Sequence, residues 1–235
     1  MLCSPDQHLQ IGAILFPDMD QFDFTGPFEV LSRLPNSTFH VLGKDRSPVR
    51  DMKGLILTPE KTLAEAPQLD VLVVPGGPGQ VQMMEDETVL SFIRQQSTGT
   101  KIVFSVCTGA LIVAATRLLR GVKATTHWAS FQFLEPLGII PVDERVVVDG
   151  KFVSAAGVSS GIDGALRVAS LLRGDSVAQE IQLYMQYAPE PPFNSGSPQS
   201  APLHVLALAQ KTGSELTKAR AANIERLVAD WQNGG

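Results

Sequence analysis

Short apolar runs alternate with helix-spaced segments from residue 9 to about residue 173. LQIGAILF (9–16) is a nearly continuous apolar run, as expected of a strand buried on both faces. A helix is predicted over about 25–34, with Thr25 placed to cap it and Pro27 in its first turn. FHVLG (39–43) and LIL (55–57) are short strand candidates. LDVLVVPGGPG (69–79) is the strongest strand signal and breaks off into a Gly/Pro loop. Within 86–96, Val89, Leu90 and Ile93 fall at helical intervals. KIVFSV (101–106) reads as another buried strand and TGALIVAATRLL as the helix after it. ERVVVDGKFVSAAG (144–157) reads as a hairpin turning on Asp149-Gly150. Two more helices are predicted over 159–173 and 175–187.

This alternation predicts an α/β fold, a three-layer sandwich with a mostly parallel central sheet. Sites in such folds lie at the carboxyl ends of the strands. The loops Asp18–Gly26, Pro75–Gly79 and Cys107–Gly109 carry unusual chemistry and are expected to converge there. The catalytic domain is expected to span 9–187. Residues 188–235 are expected to form a Pro-rich arm and a helical tail, packed on the domain or across a dimer. The arm (188–202) reads equally as a flexible linker or as an ordered strap.

The charge balance changes the picture little. A net charge of −5 and the absence of any Lys/Arg run argue against a nucleic-acid partner. No apolar stretch approaches the length of a membrane span. The amino-terminal segment MLCSPDQHLQ lacks the basic and apolar regions of a secretion signal, so the cytoplasm is the expected compartment. Only two cysteines are present, Cys3 and Cys107, so a disulfide framework is not expected.

Cys107 is the distinctive one. It closes a buried strand and opens a helix, with the small residues Ser105 and Gly109 two positions away on either side. That is the spacing of a nucleophile elbow, where small neighbours let strand and helix backbones approach. The helix N-terminus is expected to favour the thiolate. A buried, inert cysteine is the plain alternative. The glycines of Pro75–Gly79 could present backbone N–H groups to an anion, or form an ordinary tight turn. Asp23, between two phenylalanines, is expected to be desolvated with a raised pKa, unless it merely caps a helix. His127 follows Cys107 at a distance that fits a Cys–His pair or a packed corner. No His, Cys, Asp and Glu cluster has metal-ligand spacing, and no motif calls for a cofactor, so neither is expected.

Taken together, FPDMDQFDFTGPFEVL, LDVLVVPGGPG, SVCTGALI, ATTHWASFQFL and ERVVVDGKFVSAAGVSSGIDGAL resemble the PfpI-like superfamily, which is similar to class I glutamine amidotransferases. The resemblance implies a flavodoxin-like fold, a homodimer, and Cys107 as the active-site nucleophile. Within it, the Asp in DFTGP and Thr108 directly after the cysteine resemble the branch that hydrates isonitriles. Protease-like and deglycase-like branches carry His at that second position. The resemblance therefore implies a small isonitrile as substrate, with a covalent thioimidate on Cys107 and Asp23 as general acid and base. It also implies backbone N–H groups of Gly77 and Thr108 near the sulfur, and a Thr108 hydroxyl that orients water or Asp23. Gly76, Ala156 and His127 would form the surrounding shell. Ala155-Ala156, where relatives carry more glycine, would narrow the pocket. Two other readings stay open: a glyoxalase- or deglycase-type enzyme of the same fold, or a redox sensor. A DNA-binding regulator of this type would need a larger carboxyl-terminal module than the roughly 35 residues after the arm.

Overall fold

A computed structural model describes residues 1–233, so the last two residues of the expected 188–235 tail lie outside the described residues. Its main sheet has seven strands. From one edge they run Val146–Asp149, Phe152–Ala155, Ile102–Val106, Val71–Val74, Leu9–Ile14, Ser37–Gly43 and Lys61–Thr62. Within this sheet, Val146–Asp149 is the strand that pairs antiparallel, with Phe152–Ala155, and the other pairings are parallel.

The strand chemistry explains the layering. Every residue of Val71–Val74 and Ile102–Val106 is buried, as both faces are covered by helices. Gln21–Leu31 and Ser160–Arg173 pack against each other, with Gly161 close to Pro27. Glu87–Gly99 and Gly109–Ala115 pack against each other and against Val71–Val74. The first strand, Leu9–Ile14, pairs with Ser37–Gly43 on one side and with Val71–Val74 on the other. The chain thus leaves the first strand toward one edge and returns to build the other half. That reversal opens a crevice at the carboxyl ends of Leu9–Ile14 and Val71–Val74.

Several local expectations shift. The first helix begins at Gln21, because the Asp20 side chain caps it by accepting the Phe22 N–H at 3.1 Å. Thr25 and Pro27 therefore lie inside that helix, and Thr25 bonds Gln21 instead of capping. The hairpin turns on Gly150-Lys151, one residue later than expected, since Asp149 still pairs with Phe152. Gly150 supplies the positive φ (+57°) that such a turn needs. Residues 56–57 leave the main sheet and pair with Val49–Arg50 in a separate ribbon.

The arm at 188–202 carries no helix or strand. The tail forms two helices, Leu203–Thr212 and Ser214–Gln232. The second lies on the segment Trp128–Phe133 and buries Arg220, Asn223 and Ile224. Asn223 and Arg226 both bond Glu85 at 2.7 Å, which anchors it. Arg117, just past the elbow helix, lies 5.1 Å from the Trp231 ring centre, a further tie to the tail.

Candidate active site

The site grows from one strained residue. Cys107 ends the strand Ile102–Val106 with φ +56°, in the left-handed region that non-glycine residues seldom adopt. Two hydrogen bonds hold the Cys107 backbone. The Cys107 N–H donates to the Ala155 carbonyl at 2.9 Å, extending the sheet. Thr126 donates its hydroxyl to the Cys107 carbonyl at 2.7 Å. Thr108 N–H lies against the sulfur and favours its ionised form. Gly109 is small for a measurable reason: a Cβ there would sit 2.0 Å from the Val74 carbonyl oxygen. The elbow can form because strand and helix backbones nearly touch at this glycine.

The Gly/Pro loop lies against the elbow. A Cβ at Gly76 would lie 2.5 Å from the Thr108 nitrogen, and one at Gly77 would lie 2.3 Å from the Asp20 nitrogen. Gly77 also has φ +122°. The loop after the first strand zips onto this one, with Asp20 N–H on the Gly76 carbonyl (2.9 Å) and Gly79 N–H on the Asp18 carbonyl (3.0 Å). The three loops expected to converge do meet here.

The glycine N–H groups have partners other than the sulfur. Gly76 N–H donates to Asp23 Oδ2 at 3.0 Å. Gly77 N–H donates to the Thr108 hydroxyl oxygen at 3.0 Å, and that hydroxyl faces the Gly77 carbonyl at 3.3 Å. This corrects two expectations. Gly77 does not hold a free N–H for the thiolate, and the Thr108 hydroxyl is committed to the glycine loop instead of to water or Asp23.

Asp23 lies in the first turn of Gln21–Leu31 and is fully buried. Its carboxyl interacts with the Cys107 thiol, while Oδ1 has no donor of good geometry among the described residues. Burial, reinforced by the Asp20 charge, pushes its pKa up to about 8. Cys107, 6% exposed, is pushed well above the ordinary thiol range by burial first and by the Asp23 charge second. The expected lowering by the helix N-terminus is thus outweighed: desolvation acts on the whole charge, whereas the elbow helix has a single turn or two to offer. Two buried acids in contact share protons as a pair.

Cys107 opens into a cavity of about 590 Å³. Gly77, Pro78, His127, Trp128, Val158 and Arg220 are among its lining residues. His127 caps the segment Trp128–Phe133 by accepting the Ala129 N–H at 3.3 Å. Burial, then the Arg220 charge, pushes its pKa down to about 4, so it is neutral near pH 7. Ala155 and Ala156 do not line the cavity. The Ala155 methyl faces Gly164, and Ala156 N–H bonds the Arg145 carbonyl at 3.0 Å. Val158 forms the cavity wall on that side, which corrects the expectation that the alanines narrow the pocket.

Two contributors escaped the sequence reading. Thr126 stands next to the more conspicuous His127, yet its hydroxyl is the group that bonds the elbow. Arg220 sits in a tail of mixed charge that reads as one or two amphipathic helices. Its burial beside Asn223 and Ile224 follows the spacing i, i+3, i+4, a signal visible only once that helix face is known to be packed.

A model of the DJ-1/PfpI family matches residues 10–171, so the chain belongs to the DJ-1/PfpI family. It is 48% identical over 221 residues to the isonitrile hydratase of Pseudomonas putida, covering 94% of this chain and 97% of that protein. A THiJ/PfpI family protein from Pseudomonas syringae superposes with a TM-score of 0.90 at 35% identity, covering 93% of this chain and 91% of that one. The transcriptional regulator GbdR of Pseudomonas aeruginosa is 26% identical over 193 residues, 81% of this chain and 52% of that protein.

Proposed function

From this family membership we propose that the protein is an isonitrile hydratase, converting an isonitrile and water to an N-substituted formamide. The observation that carries the reading is a buried carboxyl, Asp23, held against the thiol of a strained elbow cysteine. The 48% identity to an isonitrile hydratase supports it over nearly the whole chain.

The reaction requires an acid and a nucleophile at one carbon. Loss of one proton from the pair gives the reactive form, in which Asp23 and Cys107 share the proton that remains; Asp23 delivers it to the isonitrile carbon as the sulfur bonds to it. The product is a thioimidate on Cys107 and an ionised Asp23. Asp23 then takes a proton from water while the hydroxide adds to the thioimidate carbon, and passes a proton to nitrogen. The tetrahedral adduct breaks its C–S bond, its hydroxyl proton returns to Asp23, and the formamide leaves. Thr108 N–H stabilises the departing sulfur. Asp23 Oδ2 stays anchored on Gly76, which leaves Oδ1 for the moving proton.

The test is turnover of a small alkyl isonitrile followed by chromatography of the formamide. Wild type should turn over and Cys107→Ala should not. No turnover by wild type, or unchanged turnover by Cys107→Ala, refutes the proposal.

A homodimer belongs to the same reading. The exposed apolar residues Leu183, Tyr184, Phe193, Leu203 and Leu208 supply surface for a second copy.

A further inference from the structure

We infer that Arg220 is an anion subsite in the Cys107 cavity and selects isonitriles that carry a carboxylate. This residue reaches the cavity from the tail helix Ser214–Gln232 and is 6% exposed. Its guanidinium is fixed by two neutral, fully buried groups: Nε donates to Gln80 Oε1 at 2.8 Å and Nη1 to Ser130 Oγ at 3.1 Å. Nη2 makes no hydrogen bond among the described residues and remains for the cavity.

No carboxylate forms an ion pair with Arg220 among the described residues. Two other charged side chains line the cavity, Asp20 and Lys218. Asp20 is occupied in capping the first helix, and Lys218 bonds Glu215 at the surface. The charge that acts on Arg220 is that of the Cys107 sulfur, and burial keeps that thiol from being a standing counterion, so the lost hydration of the cation is not replaced. Here the missing anion has a place to sit: a cavity that contains the proposed nucleophile. Guanidinium also matches a carboxylate geometrically, with paired N–H donors in one plane. Asn223 and Arg226 clamp the same helix onto Glu85, so the cation is held in position before any ligand arrives.

That the carboxylate bears an isonitrile rests on the proposed function; the subsite itself does not. Alkylation of Cys107 separates the two. Iodoacetate and iodoacetamide deliver nearly the same carbon to sulfur but differ in charge, and peptide mass spectrometry reads the rate at Cys107. The iodoacetate-to-iodoacetamide rate ratio in wild type is expected to exceed that of glutathione by about tenfold, the worth of one charge-assisted contact. Arg220→Met should bring the ratio to the glutathione value, and Arg220→Lys should keep part of the gain. A wild-type ratio equal to that of glutathione overturns the subsite. So does an Arg220→Met variant that slows both reagents equally, since the cation would then act on the thiol alone.

Cys3, 4% exposed, reports folding in the same digest. If Arg220→Met also labels Cys3, that variant has unfolded, and the wild-type ratio with Arg220→Lys decides the matter. In the turnover arm, kcat/KM for an isonitrile carboxylate should exceed that for its methyl ester, and the preference should vanish in Arg220→Met. A preserved alkylation ratio without any isonitrile turnover refutes the hydratase reading and leaves the subsite standing.

Discussion

Replacing Asp23 by Asn tests the electrostatics of the site directly. The substitution keeps an acceptor for the Gly76 N–H and removes the ionisable proton. In wild type the folded carboxyl titrates near 8, against 3.8 when exposed. Well below pH 3.8 it is neutral in both states and its burial is tolerated. As pH rises, the unfolded chain ionises first, so the folded state loses relative stability up to about pH 8. At ~1.4 kcal/mol per pH unit, that span sets a ceiling of about 6 kcal/mol. Water entering the site on ionisation lowers the figure, and about half, ~3 kcal/mol, is expected. Urea unfolding of wild type and Asp23→Asn at intervals from pH 4 to 9 measures it. The variant should nearly match wild type near pH 4, exceed it increasingly up to about pH 8, and hold that margin to pH 9. For a chain of this size the difference corresponds to about 6–12 °C in Tm. Turnover should fall at least about 100-fold, because the proton donor is lost. A stability difference that stays constant with pH would refute the reasoning, since Asp23 would then titrate as an ordinary carboxyl.

Other outcomes follow from the same geometry. Thr108→Val strands the buried Gly77 N–H that now bonds the hydroxyl at 3.0 Å, and should cost about 1–3 kcal/mol in urea unfolding, with Thr108→Ser costing less. Gly109→Ala forces a Cβ to within 2.0 Å of the Val74 carbonyl, so it should destabilise by about 3 kcal/mol or more; a loss under about 1 kcal/mol would disprove the close approach. The His127 imidazole, followed by NMR, should stay neutral until the pH falls toward 4, and a midpoint near 6.5 would show that it is solvated. Sedimentation should give twice the 25.3 kDa chain mass, and a species at the chain mass at micromolar concentration would exclude the homodimer.

The sheet strands were legible where burial is symmetric. Val71–Val74 and Ile102–Val106 need apolar side chains on both faces, so their position is written in composition alone. The elbow was legible too, because the close backbone approach at Gly109 excludes any side chain and leaves a small residue as its mark. Helix and turn boundaries were less so. Asp20 and Thr25 both have capping chemistry, and which one caps depends on where the preceding loop is tied to Gly76.

Residue identity set which chemistry was available: one elbow thiol, one flanked carboxyl and a glycine loop. The tertiary structure set the partners. Only folding could decide that the Gly77 N–H goes to Thr108 instead of to the sulfur, because a single proton donor serves whichever acceptor packing brings within 3.0 Å. Folding likewise drew Arg220 into the cavity across a sequence distance of 113 residues from Cys107. Periodicity shows that a tail helix has two faces. Which face is buried, and what it touches, depends on the surface it docks against, and that surface exists only in the folded chain.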